Sequence, residues 1–291
     1  MKPAPFAYAA PRSVDEAAAL LAEHGGEARL LAGGQSLVPM LNFRLLEPAL
    51  LIDINRIAGL DGIAEVAGGL RLGALVRHRA LETSPLIAHR FPIVAAAMAE
   101  VAHLAIRNRG TIGGSLAHAD PAAELPLLAL LLEAKITAVS AKGRRVIAAA
   151  DFFTAALTTA LAPDEILTEI ELPDLPAGSG WGFAELARRA GDFALAAVGA
   201  VIAEAGGVCR IARIAMAGVG STPLRAPAAE ALLQGGALDP GAIAAAARAA
   251  AAAAQPAEDL HASAAYRRHL VEVLTRRALS AAVARARKAA P

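Results

Sequence analysis

The run Leu30-Leu31-Ala32-Gly33-Gly34-Gln35-Ser36 constrains this chain more than any other stretch. Arg29–Ala32 reads as a short buried strand that stops at a Gly-Gly pair. Leu37 to Phe43 then suits a helical turn, and Leu50–Ile54 reads as a second buried strand. Strand, glycine loop, helix, strand is the outline of a unit that can hold a phosphate. Without a β-carbon in the way, backbone N–H groups and the Ser36 hydroxyl can approach an anion. A third glycine at dinucleotide spacing is missing, so taken alone this stretch is better read as a plain turn. A second loop of the same kind, Thr111-Ile112-Gly113-Gly114-Ser115, brings the readings level: two such loops can grip both ends of an extended dinucleotide, or they are two unrelated turns.

Around these loops the pattern alternates. Ser13 and Glu16 form a capping box for a helix over 14–24 that ends at Gly25-Gly26. Two short strands fall within 63–76, and helices are expected near 80–81 and over 92–104. Asp120-Pro121 reads as N-cap and first turn of an apolar helix reaching Glu133. Strands follow over 134–140, 146–147 and 166–172, and Pro173 to Gly180 is the best linker in the chain. Beyond it, strands at 183–187, 195–204 and 209–217 precede helices at 227–233, 242–254 and 262–289. The expected fold is α+β. A two-lobed domain over 1–175 (lobes about 1–57 and 58–175, a small β-α-β layer and a mixed or antiparallel sheet) precedes a smaller α+β domain over 181–288.

Composition removes several function classes. With 28 Lys and Arg against 27 Asp and Glu there is no basic face for nucleic acid. Cys209 is the only cysteine, so an iron–sulfur cluster or a cysteine-ligated zinc site would need another chain. The N-terminus carries no signal-peptide pattern, and the longest aliphatic run, 125–132, is too short to span a bilayer, so a cytoplasmic protein is expected. His118-Ala119-Asp120 lacks a third ligand at metal spacing, and no nucleophile elbow is present.

Taken in order, Ala32-Gly33-Gly34-Gln35-Ser36, Pro39-Met40, Leu51-Ile52-Asp53-Ile54, Thr111-Ile112-Gly113-Gly114-Ser115 and Ala119-Asp120-Pro121 resemble the FAD-binding medium subunit of the molybdenum hydroxylases. That group includes xanthine dehydrogenase and aerobic carbon monoxide dehydrogenase. The resemblance continues through Glu165-Ile166-Leu167, Ile170-Glu171-Leu172-Pro173, Arg188 to Ala194 and Tyr266 to Leu270, nearly the whole chain. It implies FAD held by Ala32, Gly33, Gly34, Gln35, Ser36 and Leu37 and by Thr111, Ile112, Gly113, Gly114 and Ser115, largely through backbone N–H groups. It places Ala119, Ala123 and Glu124 where the next helix passes the cofactor, and Ile166 and Leu167 near its adenine or flavin edge. Asp192 and Phe193 belong to a loop whose aromatic covers one flavin face in similar proteins.

The resemblance also implies an electron relay with no catalytic residues of its own. Its partners are a molybdenum-cofactor large subunit and a [2Fe-2S] small subunit, assembled as a dimer of heterotrimers. A free-standing FAD oxidoreductase of the same fold is the alternative, and a non-catalytic scaffold is another. Gln35 and Ser115 depart from the His and Asn frequent at those positions, and Ala184-Glu185 from a lysine often found near the flavin. Arg188 or Arg189 are candidates to replace that cation, unless they only form surface salt bridges.

Overall fold

The computed structural model describes residues 2–289. The chain divides into two compact units: 1–81 with 103–118 and 134–173, and 82–102 with 119–133 and 174–291. The final passage from one to the other, between 173 and 174, falls in the Pro-rich stretch read as a linker.

The first unit holds two larger sheets and a two-stranded one, Phe153–Ala155 with Thr158–Thr159. One larger sheet is parallel and three-stranded, in the order Ala7–Ala9, Leu50–Asp53, Ala28–Leu31. Helix Val14–His24 covers it with Ala17, Ala18 and Leu21 fully buried, and its start is the expected one, with Ser13 Oγ accepting from Glu16 N–H. The three-residue strand Ala7–Ala9 lies in the Pro-rich lead and was not expected there. The other sheet is antiparallel and five-stranded, in the order Ile63–Val66, Gly69–Gly73, Ile166–Pro173, Lys135–Ser140, Gly143–Ala148. Ile166–Pro173 is last in the chain but central in the sheet.

The second unit is built on a four-stranded antiparallel sheet, Ser179–Ala187, Ala194–Ala205, Val208–Ala217, Leu224–Arg225. The first ten residues of Ala194–Ala205 are buried, as expected of a strand covered on both faces. Helix Ala264–Ala289 packs on Ser179–Ala187 and Ala194–Ala205, and helix Glu124–Leu131 packs on the two long central strands. Every residue of Glu124–Leu131 is buried, so its sequence lacks the polar stripe of a surface helix.

Two expectations are corrected here. The stretch 92–104 is not one helix: Pro92–Met98, which Pro92 opens after Phe91, stops at Ala99, and Leu104–Arg107 starts afresh. The apolar helix does not begin at Asp120-Pro121. Asp120 Oδ1 instead accepts from Ala122 N–H in a turn, and the helix begins at Glu124 with Ala123 as N-cap.

Candidate functional site

Both glycines of the first loop answer to the protein's own backbone. A β-carbon on Gly33 would stand 2.3 Å from the Arg109 carbonyl oxygen, because two main-chain segments cross there. Gly34 has φ +72°, a left-handed conformation that costs a side-chain-bearing residue energy.

The peptide planes of this loop are held from their carbonyl side. Asn55 Nδ2 donates to Ala32 O at 2.9 Å and Gln35 Nε2 to Gly33 O at 3.0 Å. Val38 N–H donates to Gly34 O at 3.0 Å and Met40 N–H to Ser36 O at 3.2 Å. In a planar trans peptide the N–H points opposite its carbonyl, so each bond also aims the next amide. Among the described residues, the N–H groups of Gly33, Gly34, Gln35, Ser36 and Leu37 reach no protein acceptor. Five consecutive unspent donors on a partly buried loop fit an anionic diphosphate.

The second loop is different from the expected one. Gly113 and Gly114 lie inside helix Ile112–His118. Ile112 N–H donates to Val76 O at 3.0 Å, Gly113 N–H to Ala74 O at 2.9 Å and Ser115 N–H to Thr111 O at 3.0 Å. Gly114 N–H donates to the Thr111 hydroxyl at 3.1 Å. These amides are occupied, so the segment has little main-chain donation to offer a ligand, and the half-buried Ser115 hydroxyl is its available polar group. Gly113 is required by packing, since a β-carbon would come within 2.6 Å of Ala74 Cβ. A β-carbon on Gly114 would lie 3.8 Å from Ala32 Cβ, so the two glycine segments are neighbours, as expected.

Residues 77 and 78 join these segments. His78 N–H donates to Gly110 O at 3.0 Å, and its Nε2 lies 3.1 Å from Thr111 O. The Arg77 guanidinium donates through Nη1 to Arg109 O and through Nη2 to Asn55 Oδ1 at 2.7 Å. Three consecutive carbonyls, 109 to 111, are thus held by two adjacent residues. Burial pushes the His78 imidazole down to about 4, so it stays neutral and donates from Nε2. Sequence reasoning missed Asn55, Arg77 and His78. The one local signal is Asp53-Ile54-Asn55, two short polar side chains closing an apolar strand, where Asp53 Oδ1 accepts from Asn55 N–H at 2.9 Å.

Ile166 and Leu167 are in the same unit, 0% and 5% exposed, paired with Val139 and Ala138 in the five-stranded sheet. The remaining predicted residues belong to the second unit. Ala119 is buried with φ +53°, a conformation uncommon for a residue other than glycine. Ala123 and Glu124 are buried at the start of helix Glu124–Leu131. Burial, and then the Asp120 and Glu100 charges, raise the Glu124 carboxyl to about 7. Burial, and then Glu124 and Glu100, raise Glu185 to about 8. Asp192 and Phe193 are exposed, Phe193 by 59%, beside a turn at Gly191 with φ +83°. Arg188 Nη1 lies 2.7 Å from His261 Nδ1, and among the described residues no ion pair of Arg188 is seen.

Comparison with known proteins gives the following. The family model described as the FAD binding domain in molybdopterin dehydrogenase matches residues 4–175. That of the CO dehydrogenase flavoprotein C-terminal domain matches 181–282. The 6-hydroxypseudooxynicotine dehydrogenase complex subunit alpha of Paenarthrobacter nicotinovorans is 44% identical, over 99% of this chain and 97% of its own. A chain of carbon monoxide dehydrogenase from Hydrogenophaga pseudoflava superposes with TM-score 0.96 at 44% identity, covering 98% of this chain and 99% of that one. A chain of quinoline 2-oxidoreductase from Pseudomonas putida 86 does so with TM-score 0.93 at 40% identity, covering 99% of both.

Proposed function

The chain belongs to the family of FAD-binding medium subunits of the molybdenum hydroxylases, and from that premise we propose that it is the electron-relay subunit of a multi-subunit dehydrogenase. The observation that carries this is the row of free amides from Gly33 to Leu37. That row would take the FAD diphosphate, with the Ser36 and Ser115 hydroxyls as further donors. Ala32, Thr111, Ile112, Gly113 and Gly114 would give the cradle its shape, and Ile166 and Leu167 would border it. Ala119, Ala123, Glu124, Asp192 and Phe193 are assigned to the same cofactor, with the exposed Phe193 ring offered to the isoalloxazine. In domain terms, 1–175 would be the FAD-binding part and 181–288 the C-terminal part.

FAD, when bound, would supply the redox chemistry of a relay between [2Fe-2S] clusters of a small partner subunit and an external acceptor. The chain itself binds and orients. No side chain here is assigned to substrate oxidation, which falls to a molybdenum-cofactor large subunit, in a cytoplasmic dimer of heterotrimers. The lone Cys209, whose thiol donates to Ile211 O at 3.4 Å, agrees with clusters carried by another chain.

The test is the visible spectrum of the purified chain, followed by denaturation and identification of what is released. FAD near one per chain, together with reduction by substrate only when the two partner subunits are coexpressed, is the expected result. Substrate-dependent reduction of the chain alone would make it a free-standing oxidoreductase. A colourless chain that takes up no FAD, even in the coexpressed complex, would overturn the assignment.

A further inference from the structure

We propose that Asn55 and Arg77 are positioning residues that set the direction of the Gly33–Leu37 amide row, a role that rests on the FAD reading above. Asn55 Nδ2 sits 2.9 Å from Ala32 O, 3.3 Å from Leu31 O and 2.7 Å from Asp53 Oδ1, all acceptors. Its Oδ1 faces a donor, Arg77 Nη2 at 2.7 Å. The amide orientation is therefore fixed by chemistry, since a flipped side chain would oppose donor to donor and acceptor to acceptor. Holding the Ala32 carbonyl aims the Gly33 N–H the other way, and this is the first amide of the free row.

Arg77 extends the clamp. Its fork reaches Asn55 with one nitrogen and the Arg109 carbonyl with the other. Arg109 is the residue whose backbone crosses Gly33. One guanidinium thus ties the side chain that aims the first amide to the segment against which the loop rests. A lysine has a single ammonium and cannot span both at this geometry. Behind Asn55 the chain of bonds ends on Tyr8, whose hydroxyl donates to Asp53 Oδ2 at 2.6 Å. Asn55 is exposed, so its amide adds nothing to core packing, and a structural role alone gives no reason for so many directed bonds.

The experiment compares wild type with Asn55→Ala, Arg77→Met and Arg77→Lys as full-length chains freed of FAD, reading the FAD dissociation constant and the melting temperature without cofactor. Asn55→Ala should bind FAD about tenfold more weakly, one directed hydrogen bond's worth, while the cofactor-free melting temperature stays within about 2 °C. Arg77→Lys should fail to recover the affinity lost in Arg77→Met, because the fork and not the charge is needed. Wild-type affinity in Asn55→Ala, affinity lost only in step with the melting temperature, or full recovery in Arg77→Lys would each overturn the inference. A wild-type chain that takes up no FAD would instead overturn the FAD reading, and the inference with it.

Discussion

A β-carbon on Gly182 would stand 2.0 Å from the carbonyl oxygen of Ala278. One on Gly180 would stand 1.9 Å from the carbonyl of Ala282, one helical turn further along. Two glycines on the same face of strand Ser179–Ala187 thus let helix Ala264–Ala289 lie with its backbone against the sheet. Because the obstacle is main chain, no rotamer change relieves it. Gly182→Ala should destabilise this unit by about 3 kcal/mol, the upper end of overpacking costs. Denaturant unfolding measures it, and Gly206→Ala at an open turn with φ +61° should cost only about 1 kcal/mol.

Glu124 and Glu185 predict the pH dependence of the same unit. Their folded values, about 7 and about 8, lie above the ordinary 4.5. Between these limits the folded protein holds protons that the unfolded chain has released. Stability therefore falls as pH rises through this window and levels off above it. Glu185→Gln stays neutral at every pH. It should melt higher than wild type at about pH 9 and equally at about pH 4. Matching pH profiles for the two proteins would rule out a buried neutral carboxyl at position 185.

His78 acts in the opposite sense in the other unit. Its imidazole is held down to about 4 from 6.5, so acidification between those values favours the unfolded chain. The 77–78 clamp should therefore loosen on the acid side. Hydrogen exchange at Ile112, whose N–H bonds Val76 O at 3.0 Å, should speed up below about pH 5 relative to the intrinsic rate.

Arg267 is 7% exposed and donates to Leu195 O at 2.7 Å, Gly218 O at 3.2 Å and Asp259 Oδ2 at 2.7 Å. Arg267→Leu leaves a buried carbonyl without a donor and should cost about 3 kcal/mol. The Asp259 carboxyl, held near 2, owes this first to the His261 and Ala262 backbone N–H groups and only then to Arg267. It should therefore remain acidic in the variant, which a carbon-detected titration can follow.

Thr111 makes a narrower test. Its hydroxyl accepts from the Gly114 N–H at 3.1 Å. Thr111→Val should lower stability by about 1 kcal/mol, as loss of a helix cap does, and Thr111→Ser should restore most of it.

Much of this was legible in the chain itself. The apolar runs gave the strands, Ser13 and Glu16 gave a helix start, and Gly206-Gly207, both with positive φ, gave a turn. The two glycine segments were correctly paired. What misled was local propensity. A helix normally disfavours Gly-Gly, so Gly113-Gly114 read as a loop, whereas contact with Ala74 requires glycine inside a helix. Asp120-Pro121 carried every sign of a helix start but formed a turn before Ala123. Asn55, Arg77 and His78 were invisible because they hold backbone carbonyls. A carbonyl is present at every position, so such a role leaves no motif.

The place of strand Ile166–Pro173 has a consequence for synthesis. It bonds Gly69–Gly73 on one side and Lys135–Ser140 on the other, so neither neighbour has a complete ladder until it arrives. A growing chain must therefore carry two open sheet edges until residue 173 has left the ribosome. Premature termination or slow translation before that point would release a chain primed to pair with others, and this interval is when a chaperone would matter most.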